Sequence, residues 1–435
     1  MPSTFMESPV SMGSCTELRT GVWYGDGKFD LPLPSEWSLL VHWPQTPPPL
    51  TDAQIVESLE RPIGQPTIRE ICRGKTRPLV IIDDLNRPTP SYQLLPTLLR
   101  QFQEAGIPSR SVRILVATGT HGAPGKDSVA KKVGSAAASE CEIIVHNSDR
   151  QLVDLGSTSL GTPIYVNKEV VSSDYVIGIG GVYPNQTAGF GGGSKLALGV
   201  LGFRSIMHLH YRNSGAGWGC FDTGHALRRD LDQIASMINL RTVISVHINA
   251  MREVIRLTCG DPLLTHPGEV DFARKTFAVP PPGDADIVIC NAYPSDLSLT
   301  SVHMKGITPL ERSAPGASRI VLASCPEGLG HHGLFPLVNR PKLYRLRHIA
   351  RRLVTMNAGD LARKLAQRRR RESARRNPIW LYRPDHHGAD LPCPPAGCHI
   401  TYSWNELLQA VRYEQSGKRR LHAVLYPCAP LQVLD

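Results

Sequence analysis

At 435 residues, 41% hydrophobic and 20% charged, the chain has the balance of an ordinary globular protein with length for two or more packed domains. No run approaches eighteen uninterrupted apolar residues, the N-terminus lacks the basic start and apolar core of a secretory leader, and the ten cysteines show no CxxC spacing; a membrane span is excluded and a cytoplasmic protein with reduced thiols is expected. The net charge of +10 is local, because thirteen Lys/Arg against two Asp/Glu fall between 341 and 376, and without interleaved aromatics this basic helical segment is expected to be a solvated face, at most a weak exception to the absence of a nucleic-acid partner.

Residues 1–30 read as a polar arm with a first strand near Gly21 to Tyr24. Leu31-Pro32-Leu33-Pro34 and the proline-rich 44–49 are expected to run over the surface. A short helix over 50–60, with Thr51 as N-cap, ends at Pro62-Ile63-Gly64, and a second runs through Ile68 to Cys72. Arg77 to Asp84 is a near-continuous apolar run ending in carboxylates, as a buried parallel strand requires. The pattern then repeats: helix 91–105 and strand 112–117, ending in Thr118-Gly119-Thr120-His121, then helix 128–138 and strand 142–145, ending in His146-Asn147. A strand over 158–166 precedes one over 175–179, which delivers the glycine-rich stretch YPNQTAGFGGGSKLALGVLGFRSIMHLH at 183–210. Helix 225–237, strands 242–249 and 254–260, and helix 264–277 complete a first α/β unit of residues 1–279, and Pro280-Pro281-Pro282-Gly283 marks a boundary. The second unit, 280–435, holds a strand over 286–290, a helix containing Lys305, a strand over 319–323, the basic segment and a last strand over 421–425.

Gly191, Gly192, Gly193 and Ser194 precede Lys195 in a turn whose backbone N–H groups can approach a phosphate or other anion. The lysine is a point charge or, if desolvated, a nucleophile. A P-loop is excluded because Ser194 precedes the lysine instead of following it, and the dinucleotide fingerprint fails because Tyr183 stands where its third glycine belongs. Asp84, His121, His146 and the 185–195 stretch all sit at strand carboxyl ends, where open α/β sheets bind ligands, so they are expected to share one crevice. His331-His332 and His386-His387 read as surface pairs.

Seven motifs in order, DDLNRPTP (83–90), ATGTH (117–121), HNSD (146–149), AGFGGGSK (188–195), IMHLH (206–210), NAYPSD (291–296) with Lys305, and CPEGLG (325–330), resemble the nickel-pincer lactate racemase family. The resemblance implies two Rossmann-like α/β domains with the active site in the interdomain cleft, and a cofactor that is a pyridinium-3,5-bis(thiocarboxylic acid) mononucleotide gripping nickel through sulfur. By position it makes Lys195 the covalent cofactor anchor within the Gly191–Ser194 turn and His210 the nickel ligand, with His208 the alternative. Arg87 and Lys305 become the holders of a substrate carboxylate, with His121 the base for the hydroxyl proton while hydride moves to and from the pyridinium ring, and Asp84 is expected among the catalytic residues. Enzymes that make the cofactor are the implied partners, beside a small 2-hydroxy acid as substrate.

The chain departs from that pattern where the family carries a second catalytic histidine, here Asn185, whose neutral amide cannot accept a proton. Val302 stands for a glutamine, Asn86 for a threonine, and Gly122 for an arginine. The expected activity is racemisation or epimerisation of a 2-hydroxy acid. One-face hydride transfer is the enzymatic alternative, and a non-catalytic binding protein the alternative from another class. The joint presence of Arg87, His121, Lys195, His210 and Lys305 favours an enzyme.

Overall fold

The computed structural model describes residues 12–213, 215–334, 377–384, 391 and 397–435. The basic segment 341–376, His386-His387 and Cys393 lie outside the described residues.

In chain order the strands are β1 Met12–Thr20, β2 Gly27–Pro34, β3 Trp37–Val41, β4 Pro78–Asp83, β5 Arg113–Ala117, β6 Glu142–Val145, β7 Leu152–Ser157, β8 Pro163–Asn167 and β9 Tyr175–Gly181. There follow the two-residue β10 Pro184–Asn185 and β11 Gly189–Phe190, then β12 Leu240–Ile248, β13 Val254–Gly260, β14 Ala278–Val279, β15 Ile287–Asn291, β16 Ser318–Leu322, β17 Ile379–Tyr382, β18 Cys398–Thr401, β19 Leu421–Tyr426 and β20 Val433–Leu434. Six of them form a sheet in the order β13-β12-β9-β4-β5-β6, parallel except for β13, and six others form a second, all-parallel sheet in the order β18-β17-β16-β15-β19-β3.

The alternation of side chains along each central strand explains the layering. On β4, Val80 and Ile82 enter one apolar core while Leu79 and Ile81 enter the core on the opposite face. On β15 and β16, Val288 and Val321 likewise face away from Ile289 and Ile320. Both sheets are therefore covered on two sides, which is why their strands read as continuous apolar runs and not as alternating ones. The helix Asp52–Glu60 starts on a capping box in which Thr51 accepts from the Gln54 N–H and Gln54 answers the Thr51 N–H, as the sequence suggests.

Four local expectations change. The first strand is Met12–Thr20, and Gly21 to Tyr24 is the turn that follows it. Leu31 to Pro34 belongs to β2, with Leu31 and Leu33 buried in the core built on Ile287 and Ile289; β2 pairs only with β1, an edge position where prolines do not interrupt a ladder. The expected helix 128–138 is two helices, Lys126–Val133 and Ser135–Glu140, broken at Gly134 with φ 79°. In place of one strand over 158–166 there is a β7–β8 hairpin.

Residues 12–41, grouped by the sequence with the first unit, pack with the second, because β3 pairs with β19 and its neighbours share that core. Among the described residues no helix is long and apolar enough to cross a membrane, and nine cysteines are free thiols.

Candidate active site

The carboxyl ends of β4, β5 and β9 open on a cleft lined by Asp84, Arg87, His121, Asn185, Lys195 and His210. Two adjacent carboxylates at the end of β4 do different work. Asp83 accepts from the Lys132 ammonium (2.6 Å), the Thr89 hydroxyl (2.6 Å) and the Gly181 N–H (3.0 Å), tying β4 to β9. Lys132, fully buried, also donates to the carbonyls of Arg87 (3.0 Å) and Thr89 (2.8 Å). All three of its protons are used, so loop 84–89 is held rigidly. Asp84 faces the cleft, accepting from the Asn86 amide (2.7 Å) and meeting His121 Nδ1 at 2.6 Å. Burial pushes the Asp84 carboxyl up, but His121, Arg87 and the Asn86 amide outweigh it and hold the group well below the usual range. A carboxylate only accepts, so His121 Nδ1 donates, and the neutral ring carries its lone pair on Nε2.

Asn86 is a hub that sequence reasoning recorded only as a departure. Its amide oxygen accepts from Ser301 (2.7 Å), and its carbonyl accepts from both Arg87 (3.2 Å) and Lys305. Two cations thus meet at one carbonyl, Arg87 lining the cleft and Lys305 an adjoining pocket that shares Arg87 and Lys195 with it, a natural carboxylate seat. Lys305 does not lie in an ordinary helix; Val302–Gly306 is a π-helical turn, a device frequent at functional sites. Burial, with Arg87 beside it, holds the Lys305 ammonium well below its usual basicity.

The glycine-rich stretch forms the cleft floor, though less as an anion cradle than the sequence suggests. The Gly191 N–H donates to the Tyr183 carbonyl (2.7 Å) and the Lys195 N–H to that of Gly192 (3.2 Å). Glycine is needed here for close approach. A Cβ on Gly193, where φ is 54°, would stand 2.7 Å from the His266 ring, and one on Gly199 would lie 2.6 Å from the Ala117 Cβ and 2.8 Å from its carbonyl oxygen. Gly199→Ala is therefore expected to destabilise the chain by about 1–3 kcal/mol; urea unfolding reads this, and an unchanged midpoint would refute the packing argument.

Lys195 opens into the cleft from the 3-10 helix Gly193–Val200. Burial, reinforced by Arg87 and Arg228 and opposed by Asp84, pushes its amine down to about 7, so a large share is the nucleophilic free base at neutral pH. Arg228, buried on the helix Ala226–Met237, donates to the carbonyls of Ala188 (3.3 Å) and Phe190 (3.1 Å). Nothing in the sequence around it signals that role. Asn185 also lines the cleft, its amide oxygen accepting from the N–H groups of Thr187 and Ala188 (2.9 Å each). Only its Nδ2 donor remains for a ligand.

Of the two candidate metal-binding imidazoles, only His210 lines the cleft. It lies on the helix Phe203–Arg212 and its Nδ1 donates to the Ile206 carbonyl (2.8 Å), which places the neutral ring's lone pair on Nε2. His208, roughly 200° around the same helix, bonds Thr162 (3.0 Å) instead. His146 also stays out of this cleft. Its Nε2 donates to the Leu201 carbonyl (2.9 Å), its Nδ1 accepts from Asn167 (3.1 Å), and burial pushes it down to about 4; it is a satisfied core histidine.

The surface reading of His331-His332 holds for His331, which is exposed, and fails for His332, which is 6% exposed and lines the cleft. Burial first, then His121, His210 and Arg87, push His332 far below the usual histidine range. The signal was absent because the two halves of the chain meet there only in three dimensions.

Residues 24–219 match the lactate racemase N-terminal domain family. The chain is 30% identical over 296 residues to the lactate racemase of Lactiplantibacillus plantarum, covering 66% of this chain and 69% of that one. It is 27% identical, with the same coverage, to the lactate racemase of Thermoanaerobacterium thermosaccharolyticum. The fold is similar to that of the lactate racemase apoprotein from T. thermosaccharolyticum, with TM-score 0.72 at 20% identity over 97% of this chain and all of that one. A Thermotoga maritima protein is similar at TM-score 0.56 and 15% identity, covering 89% of this chain and 99% of that one.

Proposed function

This chain belongs to the lactate racemase family, an isomerase family, and from that premise we propose that it racemises or epimerises a 2-hydroxy acid with a nickel-pincer pyridinium nucleotide. The observation that carries the proposal is the meeting, in one cleft, of the Asp84–His121 pair, Arg87 and the weakly basic Lys195, with Lys305 in an adjoining pocket that shares Arg87, Asn185 and Lys195 with it.

The residues fit such a group. Lys195 offers an amine for covalent attachment, Gly191 and Gly192 line the cleft beside it, and His210 brings an imidazole to the same cleft. Among the described residues no three His, Cys, Asp or Glu side chains gather as a metal site, so nickel there would draw most of its ligands from the organic group. When bound, that group supplies the acceptor and donor of a hydride at the substrate's C2. The protein's own side chains do the rest. Arg87 and Lys305 seat the carboxylate. His121 Nε2 takes the hydroxyl proton and later returns it, while Asp84 keeps Nδ1 protonated and the ring oriented. The Asn185 amide can donate to a ligand but cannot accept a proton. The proposal includes a cytoplasmic location, supported by the free thiols, partnership with the cofactor-making enzymes, and no nucleic-acid partner.

Chain co-produced with those enzymes is expected to carry stoichiometric nickel and a mass adduct on Lys195, and to scramble the stereocentre of at least one acid in a screen of 2-hydroxy acids in deuterated water. Nickel-free, unmodified and inactive protein after co-production would overturn the proposal. Oxidation of one enantiomer without formation of the other would replace it with one-face hydride transfer. Arg87→Gln should remove a charged hydrogen bond to the carboxylate, about 1.5–3 kcal/mol, raising KM roughly 10- to 150-fold with a smaller change in kcat. An unchanged KM would place the carboxylate elsewhere.

A further inference from the structure

After Gly330 the chain runs back to the loop that follows β5. His332 makes an isolated antiparallel bridge with His121, and the Gly333 N–H donates to the Thr120 carbonyl (2.8 Å), so His332 is latched to the segment that carries His121. The two rings meet edge-on with centroids 5.0 Å apart, both on the cleft wall. Their tautomers are complementary. His121 donates from Nδ1 to Asp84 and has its lone pair on Nε2. His332 accepts at Nδ1 from the Leu334 N–H (3.2 Å), so the neutral ring carries its proton on Nε2.

We propose that His332 is a further catalytic residue, whose Nε2–H donates a hydrogen bond to the 2-oxygen of the substrate while the neighbouring His121 removes the proton from that same oxygen. The inference rests on the 2-hydroxy acid reading above and adds to it a donor for the oxygen. As the hydroxyl loses its proton, negative charge grows on that oxygen, and a fixed donor in a buried site stabilises the charge with little reorganisation. The same donor then serves the carbonyl oxygen of the 2-oxo acid and releases it when the hydroxyl re-forms. His332 keeps its proton throughout, so the proton balance belongs to His121 alone, and no bond to His332 is made or broken. In this tautomer His332 is not a substitute for the second base absent at Asn185; it is a donor paired with one base.

The test uses the full chain produced with the cofactor-making enzymes. Acids from glycolate to phenyllactate are each compared with their 2-deoxy counterparts for binding, and turnover is measured on any acid that racemises. His332→Ala is expected to lower kcat by about 10²–10³-fold and to weaken the preference for hydroxy over deoxy acid, leaving only the share that His121 supplies. His332→Gln, whose amide can replace the donor, should restore most of both. An alanine variant that keeps the preference and the rate overturns the proposal, as does a glutamine variant no better than alanine. Should the variants not fold, 15N spectra of histidine-labelled wild type decide: the His332 Nε2 signal, protonated, must move with hydroxy acid and stay still with deoxy acid. Wild type that binds neither kind of acid overturns the 2-hydroxy acid reading itself, an outcome distinct from one in which it binds but His332 is indifferent.

Discussion

Replacement of His121 by alanine is expected to lower kcat by about 10²–10⁴-fold, the usual contribution of a positioned general base. The effect should fall on kcat and kcat/KM together, because the carboxylate seat proposed at Arg87 and Lys305 is untouched. Asp84→Asn should produce a loss of similar order by another route. The amide can present an N–H to Nδ1 and so favour the wrong tautomer, placing the proton on the very Nε2 that must accept one. Because the two residues act as one unit through the 2.6 Å contact, the double variant should be little worse than either single one. Initial rates of racemisation for the three variants provide the comparison. Losses that simply add would show that Asp84 acts independently of His121.

A second large effect is expected at Lys195. With Lys195→Met the proposed adduct should be absent and turnover should fall to background. The same variant carries a pH signature that needs no cofactor. Burial lowers the lysine's pKa to about 7 from an unfolded value of 10.5, so the folded state resists protonation. Above 10.5 the amine is neutral in both states and contributes nothing. As pH falls from there toward 7, the unfolded chain binds the proton first and the wild type loses stability; below 7 both states are charged and the penalty is constant. Measured without cofactor, Lys195→Met should therefore gain stability relative to wild type at pH 6 compared with pH 10.5, by on the order of a few kcal/mol. Urea unfolding at the two pH values reads the difference, and a pH-independent one would mean that the lysine is solvated. The methionine, unbranched and one atom shorter, keeps most of the packing, so its loss contributes little to the comparison.

Local chemistry made much of this fold legible in advance. The runs that became β4, β5 and β13 are buried strands because the chain there is apolar or β-branched and bounded by turn residues, and the Thr51 cap follows from four consecutive residues. The strand-end positions of Asp84 and His121 follow from the same local pattern, as does the glycine-rich floor around Lys195. Where a long-range partner decides, local reading fails. Prolines in β2 suggested surface chain until pairing with β1 and the core under β15 buried Leu31 and Leu33.

The sequence by itself determined the α/β class, the succession of the strands β4, β5, β6, β9, β12, β13, β15, β16 and β19 and the residue types at their carboxyl ends, since periodicity and turn chemistry are properties of neighbours along the chain. Tertiary structure alone decided which of those residues meet. It turned His210 and not His208 into the cleft, set His146 to core hydrogen bonding, and made Asn86 the junction of Arg87 and Lys305. It also carried His332 across more than two hundred residues of intervening chain to the edge of His121. The physical reason is that a side chain's direction, burial and proton affinity come from groups distant in sequence, and no spacing rule encodes them.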